Sequence, residues 1–167
     1  MCQIGELVVY GIHGICRVAD QEIQTVDGQQ KIFLVLEPVD QEGSRYLVPV
    51  QNQKAMSKIR PVLSREEMQA LLSSEEVRKD DWIRDENARK QRYRSLITGC
   101  DLTGLARMVY TLYRHQQSQQ QLGKKVHMAD ENFLRDAEKL LTGELALVMV
   151  LSSEEARAYL RKKLGNE

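Results

Sequence analysis

Ser64-Arg65-Glu66-Glu67-Met68-Gln69-Ala70-Leu71-Leu72 is where the chain changes its period. Ser64 followed by Glu67 matches a capping box, in which the serine hydroxyl and the glutamate side chain satisfy two of the backbone N–H groups left free at a helix start. Met68, Leu71 and Leu72 follow at helical spacing. Upstream of Ser64 the apolar residues come in short runs bounded by Gly and Pro, and downstream they recur three and four apart. Strands first and helices after read as an α+β chain of two parts rather than a wound βαβ unit.

Upstream, Leu7-Val8-Val9-Tyr10 ends at Gly11, and Gly14-Ile15-Cys16-Arg17-Val18 follows a Gly-x-x-Gly turn. Ile23, Thr25 and Val26 lead to Asp27-Gly28, a two-residue hairpin signal. Lys31 to Leu36 is a fourth run, broken at Pro38 and Gly43, and Arg45-Tyr46-Leu47-Val48 is a fifth, ended by Pro49. Five short strands predict a small curled sheet or SH3-like β-barrel over residues 1–62. A domain of about 60 residues buries too little surface to be more than marginal alone, so it gains from docking on a neighbour or partner.

Downstream, the pattern predicts a compact helical bundle over 63–167, with the polar stretch 73–81 as a linker that proteases cut. One helix is expected from about Asp81 to Ile97, stopping at Gly99, and the next from about Leu102 to Gln121. A third begins near Ala129 and sets Phe133, Leu134, Ala137, Leu140, Leu141, Leu145, Val148 and Met149 on one face. Ser152-Ser153-Glu154-Glu155 caps a last short helix ending near Leu164-Gly165.

Charge is uneven in a chain whose formal net charge is zero. Residues 84–127 carry 9 Lys and Arg against 3 Asp and Glu, while the flanking segments are neutral or acidic. Nucleic-acid affinity follows the local field more than the total, although a solvated helix face has the same composition. Cys2, Cys16 and Cys100 are odd in number, which argues against a disulfide framework and fits a reducing cytoplasm. Leu145 to Leu151 is the longest apolar run, too short for a membrane span, and the opening residues lack a basic leader region.

Motifs for chemistry fail in turn. Gly123-Lys124 is not a Walker A loop, because Ser118 stands where its first glycine belongs. Neither HExxH nor GxSxG occurs. His13, His115 and His127 are far apart and lack neighbours at metal-ligand spacing, and His115 is expected in solvent. Asp80-Asp81, Asp85-Glu86 and Asp130-Glu131 fall at expected helix starts, where the dipole favours negative charge. A binding protein with neither metal nor cofactor is the reading; nuclease assays with and without a divalent ion discriminate it from a nucleic-acid enzyme.

Trp82, the only tryptophan, stands between an acidic stretch and Arg84, Arg89, Lys90, Arg92 and Arg94. Packed, it joins two helices. Exposed, it stacks on a base or wedges at a base step while the cations hold phosphates. Arg89, Lys90, Arg92 and Arg94 are read as one outward surface, with Tyr93, Leu96 and Ile97 turned inward. Lys124 and Lys125 extend that surface if the fold brings them near.

The sequence resembles the CarD/CdnL family of bacterial transcription regulators. The resemblance runs from Ile4-Gly5-Glu6-Leu7-Val8-Val9-Tyr10 through His13-Gly14, the Asp27–Lys31 hairpin, Phe33–Leu36, Val48–Asn52 and Ile59–Val62. It continues through Trp82, Leu96–Asp101, Ala137–Leu141 and Glu144–Ala146. It implies a Tudor-like β-domain docked on the RNA polymerase β subunit and a helical domain that contacts promoter double-stranded DNA at the upstream edge of the melted region. There the family tryptophan, matched here by Trp82, slows bubble collapse. It implies a monomer that modulates open-complex stability. Two departures stand out: Gln24 and Leu47 occupy positions where some members carry arginines, and the stretch from Trp82 to Gly99 is longer than usual. Lys31 and Arg45 are expected to serve there instead, and the expected polymerase contacts are Lys31 together with Arg45, Tyr46, Leu47 and Val48, the last four on an edge strand from Gly43 to Val50 that docks by β-augmentation. A polymerase-binding scaffold that does not touch DNA is the alternative.

Overall fold

The computed structural model describes residues 2–165. Contacts divide the chain into two units, one ending at Val62 and one beginning at Leu63.

In the first unit the strands are β1 (Leu7–Tyr10), β2 (Ile15–Val26), β3 (Gln29–Pro38), β4 (Tyr46–Pro49) and β5 (Ile59–Pro61), with a 3-10 turn at Gly11–His13 and a short helix α1 (Gln53–Met56). They form one antiparallel sheet in the order β4-β3-β2-β1-β5. Asp27 and Gly28 both take positive φ, 52° and 77°, as the turn between β2 and β3 requires. The five strands are not quite the five expected. Gly14–Val18 and Ile23–Val26 are two ends of the single strand β2, which crosses the polar stretch between them with a register shift between Val18 and Asp20. Such a bulge bends a strand without ending it. The strand missed in the sequence is β5, three residues ending in Pro61, and its place at the sheet edge is where a proline is tolerated. Val8, Cys16, Val18, Leu34, Leu36 and Val48 form the core of this unit, with Tyr46 from one edge strand and Ile59 from the other packed against it.

The second unit contains α2 (Arg65–Ser73), α3 (Glu86–Gly99), α4 (Leu102–Gln121), α5 (Met128–Met149) and α6 (Ser153–Leu164). The capping box at Ser64 is present with both of its hydrogen bonds. Leu105, Val109 and Leu112 of α4 pack with Leu134, Leu141 and Leu145 of α5 and with Ala156, Leu160 and Leu164 of α6. Buried Glu144 of α5 accepts the Leu63 N–H at 2.8 Å and so fastens the start of the unit. The approach of α4 to α3 is close at Gly104, where a Cβ would lie 2.5 Å from Leu96. Among the described residues no helix is long and apolar enough to cross a membrane.

Two expectations need correction here. Residues 73–81 are not a linker between the units. Although largely irregular, this stretch is packed into the second unit: Val77 is fully buried, Arg78 donates to the Lys163 carbonyl at 2.9 Å, and the Asp81 N–H donates to Thr111 Oγ1 at 3.1 Å. Protease cleavage there loses its basis. The helix expected from Asp81 starts at Glu86 instead, because Asp85 is the N-cap and accepts the Ala88 N–H at 2.8 Å. Trp82 therefore lies in an irregular segment ahead of α3.

Candidate nucleic-acid interface

Three helices meet around Trp82. The indole is half-buried and stacks on His115 of α4, with ring centroids 3.6 Å apart and planes 12° from parallel. The guanidinium carbon of Arg89, from α3, lies 4.4 Å from the indole centroid. Arg89 is only 3% exposed. Its Nε and Nη2 donate to the two carboxylate oxygens of Asp130 at 2.9 and 3.0 Å, and its Nη1 donates to the carbonyls of Ile83 and Arg84 at 2.9 and 3.3 Å. Asp130, in the first turn of α5, is 1% exposed.

This arrangement corrects three readings. Arg89 is not on the outward surface with Lys90, Arg92 and Arg94. It precedes Tyr93, Leu96 and Ile97 by four, seven and eight positions and so shares their inward face. Asp130 is not merely complementing a helix dipole, because its carboxylate is taken up by Arg89. His115 is not free in solvent. Burial pushes its pKa below the ordinary histidine value, while the charge of Asp130 opposes that shift.

Beside the indole opens a cleft of about 440 Å³ lined by Trp82, Arg84, Glu86, Arg89, His115, Gln119, Lys124, Lys125 and His127. The fold thus brings Arg84, from the segment before α3, to the same concavity as Lys124 and Lys125, from the α4–α5 connection, and all three are exposed. Glu86 is the only carboxylate in that lining, and Lys90 holds it at 2.7 Å. The hydrogen bond from Lys90 lowers the Glu86 pKa. The other cations of α3 lie elsewhere: Arg92 borders a separate small pocket with Asp81 and Arg107, and Arg94 lies over the Phe133 ring at 6.0 Å. Of the residues expected to meet DNA, then, Trp82, Arg84, Lys124 and Lys125 converge. Lys90 is engaged next to them, and Arg92 and Arg94 are turned to other surfaces. Gln119, His115 and His127 were missed, and their sequence neighbourhood carries no signal of the convergence.

In the first unit β4 is an outer strand, paired only with β3 among the described residues. Its residues divide by alternation. Val48, opposite Leu34, is fully buried, and Tyr46, opposite Leu36, packs against the core with Tyr10 and His13, their ring centroids at 5.7 and 4.3 Å. The Val48 side chain is thus enclosed and that of Tyr46 partly so, which leaves their backbone as the part of these two residues on the outer edge of the sheet. Leu47, opposite Val35, is on the other face and 43% exposed, and Lys31 shares that face two positions before Phe33 on β3. Arg45 is tied to Glu22 of β2.

Two family models match the chain. The one described as the CarD-like/TRCF RID domain matches residues 2–62, and the one described as the CarD C-terminal domain matches residues 63–161. Together they span both units and nearly all of the sequence. CarD-like domains are those of transcription factors that interact with RNA polymerase. The first match covers the antiparallel sheet and the second the helical unit, and the chain belongs to the CarD family.

Proposed function

We propose that the protein docks on the RNA polymerase β subunit through the outer edge of β4 and contacts promoter DNA, at the upstream edge of the melted region, through the cleft beside Trp82. In doing so it changes the lifetime of the open complex. One observation carries this reading: a partly exposed indole stands at the wall of a cleft where three exposed cations, Arg84, Lys124 and Lys125, come together from two segments. The cations suit backbone phosphates, and an aromatic edge suits a groove or an opened base step. With a formal net charge of zero, free association with DNA is weak. Tethering to polymerase raises the effective concentration enough to make such a cleft useful.

Two variants test the reading. Trp82→Ala is expected to shorten the lifetime of the polymerase–promoter open complex and leave its salt dependence nearly unchanged. Replacing Lys124 and Lys125 together with Ala is expected to lower the slope of log affinity against log salt by about 0.9 for each lost phosphate contact. If neither lifetime nor slope moves while polymerase pull-down is intact, the protein is a polymerase-bound scaffold that does not touch DNA.

A further inference from the structure

Residues 82–84 belong to no helix or strand, yet both sides of Trp82 are fixed by hydrogen bonds. Ahead of it, the Asp81 N–H donates to Thr111 Oγ1 of α4 at 3.1 Å. Behind it, the Ile83 and Arg84 carbonyls accept from Arg89 Nη1. The rest of the guanidinium grips Asp130, so one side chain joins α3, the first turn of α5 and the backbone that carries the indole. A free cation placed for phosphate would be exposed, and this one is 3% exposed with its Nε, Nη1 and Nη2 all engaged. Only a planar fork meets a carboxylate and two carbonyls in this way; a lysine ammonium presents the same charge without the geometry.

We propose that Arg89 and Asp130 are positioning residues, which hold the 82–84 segment so that the Trp82 indole is presented to DNA in one orientation, and that Arg89 is not a phosphate ligand. This rests on the reading of the cleft as a DNA interface. Its physical logic is preorganisation: an indole already ordered in the free protein does not lose that freedom on binding. The opposite reading, in which Asp130 merely masks a phosphate-binding arginine, makes opposite predictions. Neutralising Asp130 would then release Arg89 and tighten DNA binding, and lysine would substitute for Arg89.

The test uses the full-length protein and the fluorescence of its single tryptophan. Arg89→Lys keeps a cation opposite Asp130 and is the variant most compatible with folding; Asp130→Asn is the second. Acrylamide quenching of Trp82 in the free protein reads its ordering, and the open-complex lifetime reads its effect. For both variants quenching is expected to rise and the lifetime to shorten by about tenfold, a change within the range over which interface substitutions alter dissociation rates. The salt slope, unlike that of the Lys124 and Lys125 double variant, is expected to stay at the wild-type value. Wild-type quenching in Arg89→Lys, or a longer lifetime in Asp130→Asn, overturns the proposal. If Trp82→Ala itself leaves the lifetime unchanged, the DNA reading fails, while the quenching measurement still decides whether Arg89 orders the indole.

Discussion

Each unit holds an arginine–carboxylate pair, and the two behave as opposites. In the sheet, Arg45 meets Glu22 across the surface, with side chains 50% and 33% exposed. In the helical unit, Arg89 meets Asp130 with 4% and 1% exposed. The hydrogen bond from Arg45 lowers the Glu22 pKa, yet water competes for both partners and salt screens them, so such a pair contributes little to folding. The interior pair is closed off from solvent, and each partner depends on the other. Replacing a buried pair with apolar groups is often tolerated, whereas removing one member strands a charge. The comparison teaches that an arginine's role is read from its surroundings: Arg45 stands on a surface free to exchange partners, while Arg89 is part of the scaffold that holds Trp82.

The largest effect is expected when one member of the interior pair is removed. Arg89→Leu should destabilise the protein by about 3–5 kcal/mol, because Asp130 is left buried without a cation. Adding Asp130→Leu should recover part of that loss. Urea unfolding of the two variants and the wild type measures both quantities, and additive losses would remove the pair from its assigned place.

A smaller effect is expected at His115, which stacks on the other partner of Arg89. Its pKa is lowered, first by burial; Arg89 and His127 add to the shift and Asp130 and Asp80 oppose it. A histidine whose folded pKa lies below its unfolded value stays neutral in the native state while the unfolded chain takes up a proton. Above the ordinary value of 6.5 it gives no pH dependence. As pH falls from there through the folded pKa, its contribution to stability is lost. His115→Gln should flatten that part of the stability–pH curve, measured by thermal unfolding across acidic buffers, and an unchanged slope would assign the dependence to another group.

The smallest effect is expected at the surface pair of the sheet. Glu22→Gln should leave the urea midpoint at the wild-type value at moderate salt, since the pair it breaks is at the surface. A clear loss of stability would show that the sheet relies on this pair after all and would erase the contrast with Arg89.

Much of the fold was legible because its signals are local. The Asp27-Gly28 turn, the capping box at Ser64 and the apolar stripe of α4 each lie within a few residues and are found where expected. Strand β5 was not legible, since three residues ending in Pro61 carry no period and owe their place to pairing with β1. Trp82 was singled out as a lone aromatic next to a basic run, and Lys124 and Lys125 as an extension of it. Arg89 was the instructive failure. Its charge argued for solvent, and its spacing from Tyr93, Leu96 and Ile97 argued for the interior. The spacing was right, but an inward arginine is acceptable only with a carboxylate to meet it, and that carboxylate is 41 residues away in sequence.

The order of strands and helices, the change of period at Ser64, the segment rich in cations and the tryptophan beside it are all encoded locally. These are properties of neighbouring residues, and backbone geometry reads them one turn or one strand at a time. Only the tertiary structure decided which cations share a cleft, which arginine is buried, and that His115 and Asp130 belong to the surroundings of Trp82. Those outcomes depend on where α4 and α5 bring distant side chains, and a buried charge persists only where such a partner has been delivered to it.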